Sequence, residues 1–90
     1  MIRRQNMKIK YRRKFKKQYA RAPKKIKRAF EKRLKLFLKD PQNPILHNHQ
    51  LSGQLRKYRS INITGDWRAF YSENEFVIFK VFGTHSQLYK

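Results

Sequence analysis

The hydrophobic and polar residues at the start of the chain follow first a two-residue period and then a helical one. Residues 7–11 alternate between the two classes, which predicts a short β-strand. Phe15 and Tyr19 come next, four residues apart, and this spacing predicts a short helix over 12–22 with both rings on one side. The segment before the strand, residues 1–6, is expected to be dispensable.

A second helix is predicted from the apolar spacing after Pro23. Proline is tolerated in the first turn of a helix, so Pro23 can open this one. The helix is expected to end at Asp40, because a residue that precedes a proline avoids the α conformation. Its apolar positions recur every three or four residues and form one buried stripe. The stripe consists of Ile26, Ala29, Phe30, Leu34, Phe37 and Leu38.

The second half of the chain has the pattern of a small sheet. Residues 41–57 contain prolines, a glycine and several amide side chains, which predict an irregular connection. Two short turns, Gly65-Asp66 and Glu73-Asn74, then separate segments of strand-like composition. Three strands are therefore predicted, near 58–63, 67–72 and 75–82.

The two turns predict which side chains share a face of this sheet. The first turn places Thr64 opposite Trp67. The second places Ser72 opposite Glu75. The face that packs against the helices is expected to contain Ile61, Ile63, Phe70, Val77, Phe79 and Val81. The other face is expected to contain Asn62, Trp67, Ala69, Tyr71 and Lys80.

Together these elements predict one α+β domain over residues 1–90, with a strand, two N-terminal helices and then an antiparallel sheet. Its 14% aromatic content favours a folded core over a disordered basic tail. The chain has no cysteine, which excludes disulfides and thiolate metal sites. No apolar segment approaches the roughly 20 residues of a membrane span, and no signal peptide is recognisable. A cytoplasmic protein without membrane contact is expected.

The charge of the chain changes this picture most. There are 24 Lys and Arg against 5 Asp and Glu, a formal net charge of +19, which favours a polyanionic partner. Residues 1–40 hold 18 of the basic residues against 2 acids, whereas residues 41–90 hold 6 against 3. The first half is therefore expected to bind the phosphates of nucleic acid, and the second half to hold any chemistry.

Few residues are suited to acid–base chemistry. The histidines are His47, His49 and His85, and Asp66 lies in the first predicted turn. Histidine both accepts and donates protons near pH 7, and RNA cleavage by the ribose 2′-hydroxyl needs both acts but no metal. The ordinary alternatives are that the histidines are surface residues and that Asp66 only forms its turn. A metal site at His47 and His49 would lack further ligands nearby.

Four short motifs occur in an order that resembles the RelE/ParE toxin superfamily, and its YafQ branch most closely. They are His49-Gln-Leu51-Ser-Gly53, Tyr58-Arg59, Asp66-Trp67 and Gly83-Thr84-His85-Ser-Gln-Leu88-Tyr89. The resemblance implies two N-terminal helices packed on a twisted antiparallel sheet. It also implies a cofactor-free endoribonuclease that cuts mRNA in the ribosomal A site. A cognate acidic antitoxin would bind this toxin as a hetero-oligomer.

The resemblance also assigns roles to individual residues. His85 is the expected general acid, and either His49 or Asp66 is the expected base. Trp67 and Tyr89 are expected to stack on or orient the nucleotide, with Tyr89 standing where the YafQ branch has phenylalanine.

Other positions are expected to bind RNA without transferring protons. Asn62 stands where the YafQ branch has a histidine, and its amide can bond to ribose or phosphate but cannot act as a base. Phosphate contacts are expected from Arg59, Arg68 and Lys80, and contacts with ribosomal RNA from Lys24, Lys25, Lys27 and Arg28.

Two other functions are compatible with the sequence. One is a non-catalytic toxin, either a ParE-like protein that poisons gyrase or a degenerate toxin that only binds its antitoxin. The set His49, Asp66 and His85 argues against the ParE-like version. The other is a basic RNA-binding module, which the composition alone would fit. An overlapping reading frame for a short protein with an acidic tail would favour the toxin.

Overall fold

The N-terminal elements occur in the predicted order. The computed structural model describes residues 8–89, so the prediction that residues 1–6 are dispensable lies outside the described residues. Strand β1 spans Ile9–Tyr11 and helix α1 spans Arg13–Arg21. Helix α2 spans Lys24–Lys39. Within residues 8–89, no helix is both long and apolar enough to cross a membrane.

The ends of α2 follow from its flanking residues. Pro23 is the N-cap, with φ −59° and ψ 150°, so it precedes the first helical residue and does not form it. At the other end, the Asp40 N–H donates to the Leu36 carbonyl, and the backbone of Asp40 itself is no longer helical. Phe30 and Phe37 of the predicted stripe are buried against the sheet.

The connection after α2 is more ordered than predicted. It contains two 3₁₀ turns, Pro44–Leu46 and Gly53–Leu55, and a two-residue strand β2, His49–Gln50. The prediction of an irregular connection over 41–57 is therefore wrong at β2. A strand of two residues has no period to detect, and it exists only because strand β3, Arg59–Thr64, pairs with it.

The sheet has five strands in the order β1-β5-β4-β3-β2. Strand β4 spans Trp67–Glu73, β5 spans Val77–Thr84, and a final one-turn helix α3 spans His85–Leu88. The neighbouring pairs from β2 to β5 are antiparallel, as predicted, whereas β1 joins β5 in parallel.

The first hairpin has the predicted turn but not the predicted faces. Thr64 lies opposite Trp67, and Gly65 has the positive φ of 50° that the tight turn needs. A β-bulge at Ile63 then shifts the pairing by one residue, so Ile61 lies opposite Ala69 and not opposite Phe70. Compared with the prediction, this shift places each side chain of β4 on the opposite face of the sheet.

The second hairpin is one residue longer than predicted. Glu73 pairs with Val77 and Ser72 with Ile78, so the predicted pairing of Ser72 with Glu75 is wrong. The Asn74 N–H donates to the Phe76 carbonyl, which closes a three-residue connection. The ammonium of Lys10 lies 4.1 Å from the Phe76 ring centroid and holds the turn against the end of β1.

The core therefore differs in part from the predicted face. Ile61, Ile63, Val77 and Phe79 are buried against the helices as predicted, together with rings from both helices. Phe70 is buried outside this cluster, and Val81 pairs with it, so both were assigned to the wrong face. Ala69 and Tyr71, predicted for the other face, are core residues because of the bulge.

Candidate active site

The face of the sheet turned away from α1 and α2, which we call the open face, carries a mixed set of side chains. Ser60 pairs with Phe70 and Asn62 pairs with Arg68, so these four share one face. His49 pairs with Ser60 on the other side and extends the face to β2. Asn62 thus lies on the open face, as predicted, but opposite Arg68 and not with Trp67.

Helix α3 folds back at the end of β5 and brings His85 to the first hairpin. Thr84 caps this helix, accepting from the Gln87 N–H while the Gln87 side chain accepts from the Thr84 N–H. The His85 N–H donates to the Asp66 carbonyl at 2.9 Å. His85 and Asp66, two of the three predicted catalytic residues, are therefore neighbours, and both are exposed.

Tyr89 covers part of the open face. Its ring centroid lies 4.3 Å from that of His85 and 5.4 Å from that of Phe70. A Cβ at position 83 would lie 2.8 Å from Gln87 Oε1, so a larger residue there would displace the side chain that accepts from the Thr84 N–H. Burial raises the pKa of Tyr89, and the nearby guanidinium of Arg68 opposes that shift. Arg68 and Tyr89 are therefore electrostatic neighbours.

The ring of His49 is held by the backbone carbonyl of His47, two positions before it. Its Nδ1 lies 2.8 Å from the His47 carbonyl oxygen, and a carbonyl can only accept, so Nδ1 carries the proton. In the neutral ring Nε2 is then the atom that accepts a proton. His47 adopts a left-handed φ of 45°, which directs its carbonyl toward His49. The arrangement suits His49 to act as a base.

A cavity of about 490 Å³ is lined by His49 of β2 and by Leu88 and Tyr89 at the end of α3. His49 and Tyr89 stand at its walls, and Tyr89 in turn contacts His85. The remaining lining comes from Gln50, Leu51, Ser52, Gln54 and Leu55. The two candidate histidines thus flank a single aromatic ring beside a cavity.

Two polar atoms at this face are buried without a partner among the described residues. They are Ser60 Oγ and Asn62 Oδ1. Buried polar atoms are nearly always hydrogen-bonded, and the exceptions are often functional. Arg68 is better anchored, because its Nη1 donates to the carbonyls of Gly65 and Trp67 at 2.8 and 3.1 Å. Within residues 8–89, no three His, Asp or Glu side chains are grouped to hold a metal ion.

Three predicted RNA-binding residues lie elsewhere. Trp67 packs against Phe82 on the helix side of the sheet, so its predicted position beside Asn62 is wrong. The bulge at Ile63 is the cause, since it shifts the pairing of β3 with β4 by one residue.

Arg59 also points toward the helix side. Its Nε donates to Asn48 Oδ1 at 2.9 Å, and Asn48 Nδ2 donates to the Tyr71 hydroxyl at 2.8 Å. Lys80 is the extra residue of a second bulge in β5. Burial lowers its pKa, and the charge of Arg12 lowers it further, which places Lys80 near the start of α1.

The predicted basic surface of α2 is present and lies in the helical layer, away from the open face. Lys24, Lys25 and Arg28 are exposed, whereas Lys27 is half-buried with its ammonium 5.9 Å from the Tyr19 ring centroid. Lys25 and Arg28 also border a concavity of about 450 Å³ whose other cations are Lys32 and Arg33.

Residues 7–90 match the family model described as the YafQ bacterial toxin of type II toxin–antitoxin systems. This chain belongs to that family. The family resemblance that the motifs predicted is confirmed, and so is the α+β fold. None of the curated protein sequences matches the chain.

Solved structures share the fold of this YafQ-family chain. The crystal structure of YafQ from E. coli strain BL21(DE3) has a TM-score of 0.79 at 21% identity, over 93% of this chain and 99% of that one. The crystal structure of the E. coli DinJ–YafQ toxin–antitoxin complex contains a chain with a TM-score of 0.77 at 21% identity. The match covers 93% of this chain and 98% of that one. A YoeB/ParE toxin from Agrobacterium tumefaciens has a TM-score of 0.71 at 18% identity, over 88% of this chain and 99% of that one.

The sequence did not identify every residue that builds the site of this YafQ-family chain. His47 was treated as a surface or metal-binding candidate, whereas its backbone holds His49. Gln54 and Leu55 line the cavity and were not singled out, and Leu88 was part of the last motif but was given no role. Only the pairing of β2 with β3 and the fold-back of α3 bring them together, so no local signal could have identified them.

Proposed function

We propose that this chain is a ribosome-dependent endoribonuclease that cleaves mRNA, acting as the toxin of its toxin–antitoxin pair. The observation that supports this proposal is the fixed ring of His49. Its Nδ1 donates to the His47 carbonyl, which leaves Nε2 as the atom that accepts a proton. His49 lines the same cavity as Tyr89, and Tyr89 contacts His85. A base and an acid are the groups that RNA cleavage by the ribose 2′-hydroxyl requires.

In the proposed step, Nε2 of His49 removes the proton of a ribose 2′-hydroxyl. The 2′-oxygen attacks the adjacent phosphorus, and the bond from phosphorus to the 5′-oxygen breaks. Protonated His85 gives its proton to that leaving 5′-oxygen. The products are a 2′,3′-cyclic phosphate and a 5′-hydroxyl end. His49 is favoured over Asp66 as the base because its tautomer is fixed.

Two further residues would stabilise or position the charged transition state. The guanidinium of Arg68, held by two carbonyls beside Tyr89, would stabilise the additional negative charge on the non-bridging phosphate oxygens. Asn62, opposite Arg68 on the open face, would bind a ribose hydroxyl or a phosphate through its amide. The residues supply base, acid and positive charge, so the step as proposed uses no metal.

The proposal extends to the partners. The exposed cations Lys24, Lys25 and Arg28 of α2 would bind ribosomal RNA, since phosphate contacts dominate the affinity of such surfaces. A cognate acidic antitoxin would neutralise the toxin in a hetero-oligomer, which the formal charge of +19 favours. The structural similarity to the toxin of the E. coli DinJ–YafQ complex supports this partner. The proposed location is the cytoplasm.

The test is single-turnover cleavage of mRNA on programmed ribosomes by wild type, His85→Ala and the neighbouring Ser86→Ala. Loss of a general acid is worth about 10²–10⁴-fold in rate, so His85→Ala should be slower by that factor. Ser86 is exposed on the same helix and should be dispensable. Undiminished cleavage by His85→Ala would remove this residue from the mechanism. Undiminished toxicity on induction, with no cleavage by wild type, would favour the non-catalytic toxin.

A further inference from the structure

The side chain of Asn48, which directly precedes the candidate base His49, is hydrogen-bonded through all of its polar groups. Its Nδ2 donates to the Pro41 carbonyl at 2.9 Å and to the Tyr71 hydroxyl at 2.8 Å. Its Oδ1 accepts from Arg59 Nε at 2.9 Å. A carboxamide has two N–H donors and one carbonyl acceptor, so each of them has a partner here.

The three partners of Asn48 belong to separate parts of the fold. Pro41 follows the end of α2, Arg59 begins β3, and Tyr71 lies in β4. Tyr71 is only 1% exposed, and its ring centroid lies 5.1 Å from that of Phe37 in α2, so its hydroxyl is held in place. The bond from Arg59 is charge-assisted and therefore stronger than one between neutral groups. The short β2 segment is thus tied to the rigid body of the domain.

The residue before Asn48 has a backbone conformation that needs such support. His47 has a φ of 45°, and a strained residue persists only where its surroundings hold it. On one side of His47, the side chain of Leu46 is completely buried. On the other side lies Asn48 with its three bonds. The carbonyl that accepts from His49 Nδ1 belongs to the peptide group that joins His47 to Asn48, so the anchored residue is part of the contact.

We propose that Asn48 is a positioning residue for His49. Its side-chain bonds hold the peptide group between His47 and Asn48 in the orientation that directs the carbonyl at His49 Nδ1. The proton therefore stays on Nδ1, and Nε2 remains the atom that accepts one. The inference rests on the proposed role of His49 as the base and adds a residue that the sequence did not single out. In this arrangement Arg59 acts as a donor that holds Asn48.

Two substitutions of Asn48 remove different numbers of these bonds. Asn48→Ala removes all three. Asn48→Asp keeps the bond from Arg59 and can accept from the Tyr71 hydroxyl, but it has no donor for the Pro41 carbonyl. The tautomer of His49 should therefore change most with alanine and less with aspartate.

The first measurement is the tautomer of His49 in the purified toxin by ¹⁵N NMR, which does not depend on cleavage. At about pH 8.5 histidine side chains are neutral, and the protonated ring nitrogen has a different chemical shift from the unprotonated one. The His49 signals are those that disappear in His49→Gln. Wild type should carry the proton on Nδ1 alone, whereas Asn48→Ala should carry it on either nitrogen.

Gln18→Ala is the matched control for Asn48→Ala. Gln18 is half-buried, and its Oε1 accepts from the Phe82 N–H at 2.8 Å in the helical layer. Its loss should destabilise the fold, because a backbone N–H loses its partner, but the tautomer of His49 should stay that of wild type.

A second pair of variants serves if Asn48→Ala does not fold. Tyr71→Phe and Tyr19→Phe each delete one phenol hydroxyl that takes part in a hydrogen bond. Only the Tyr71 hydroxyl bonds to Asn48, whereas that of Tyr19 donates to the Lys27 carbonyl. Tyr71→Phe should therefore shift part of the His49 population to the other tautomer, and Tyr19→Phe should not.

The second measurement is single-turnover cleavage on programmed ribosomes. Misplacement of a catalytic group costs up to about 10²-fold in rate. Asn48→Ala should therefore be slower by roughly 10–100-fold at saturating toxin, with an unchanged affinity for ribosomes. Gln18→Ala should cleave at the wild-type rate.

The outcomes separate this inference from the proposed function. A tautomer change confined to the variants of Asn48 and Tyr71 supports the inference, and absence of cleavage by wild type would then overturn only the nuclease. An unchanged tautomer in Asn48→Ala or, if that variant does not fold, in Asn48→Asp and Tyr71→Phe would show that Asn48 only stabilises the fold. An equal change in Gln18→Ala, or a wild type with the proton on Nε2, would likewise overturn the inference.

Discussion

The Nδ1 atom of His49 donates a hydrogen bond of 2.8 Å to the backbone carbonyl of His47, a residue in the left-handed region with φ 45°. The two imidazole ring centroids are 5.0 Å apart. The backbone of His47, and not its side chain, thus sets the tautomer of the candidate base. The strained conformation has a clear use, because it directs the carbonyl at the neighbouring ring.

This relationship predicts different effects on the cleavage rate for two substitutions of His47. Glycine adopts positive φ without strain, so His47→Gly should keep the cleavage rate near that of wild type. A β-branched residue there is disfavoured by about 1–3 kcal/mol, so His47→Val should displace the carbonyl and slow cleavage by tenfold or more. Single-turnover rates and melting temperatures of both variants would check this. Equal rates in both would mean that the carbonyl does not orient His49.

Asn62 provides a second test of the proton chemistry. It shares the open face with Arg68, and its Oδ1 is buried without a partner among the described residues. We expect Asn62→His to raise the single-turnover rate, because the histidine adds a titrating group to the site. Asn62→Ala should lower the rate, because it removes the acceptor. Rates across about pH 6 to 9, which spans the titration of histidine, would show the added ionisation. Equal rates in all three proteins would place Asn62 outside the site.

The basic surface of α2 predicts a salt-dependent affinity for ribosomes. Each phosphate that a cation neutralises releases counterion and steepens the salt dependence. Reversal of Lys24 and Lys25 to Glu should therefore weaken ribosome binding and flatten the slope of log affinity against log salt. Reversal of Arg56 and Lys57, also exposed, makes the same change in net charge outside α2 and should affect the slope less. Equal slopes for both double variants would show only an effect of net charge.

Tyr71 predicts how stability falls at high pH. Burial raises its pKa above the usual 10.0, while hydrogen bonds from Asn48 and Arg59 act in the opposite direction. A raised phenol pKa means that the unfolded chain ionises first, so the free energy of unfolding should fall as the pH rises above about 10. Tyr71→Phe should lose about 0.5–1.5 kcal/mol at pH 7 with its hydrogen bonds and show a smaller decrease above pH 10. Urea unfolding of both proteins at pH 7 and pH 11 would measure the difference. An equal decrease in both would assign the alkaline loss to other groups.

The sequence by itself determined the elements and the family. The spacing of Phe15 and Tyr19 predicted the first helix, and the apolar stripe that contains Phe30 and Phe37 predicted the second. All three phenylalanines are buried. Gly65-Asp66 predicted the first turn, because few residues other than glycine accept its positive φ of 50°. The ordered motifs from His49 to Tyr89 indicated the YafQ branch. These features are local, or repeat with a fixed period, and therefore need no knowledge of the rest of the fold.

Only the tertiary structure decided which side chains meet. One bulge at Ile63 moved Trp67 to the helix side and brought Ala69 and Tyr71 into the core. A strand has a period of two, so a single extra residue reverses every later side chain, and nothing in the sequence fixes where that residue is placed. The tautomer of His49 and the cavity beside it likewise depend on β2, which forms only when β3 pairs with it.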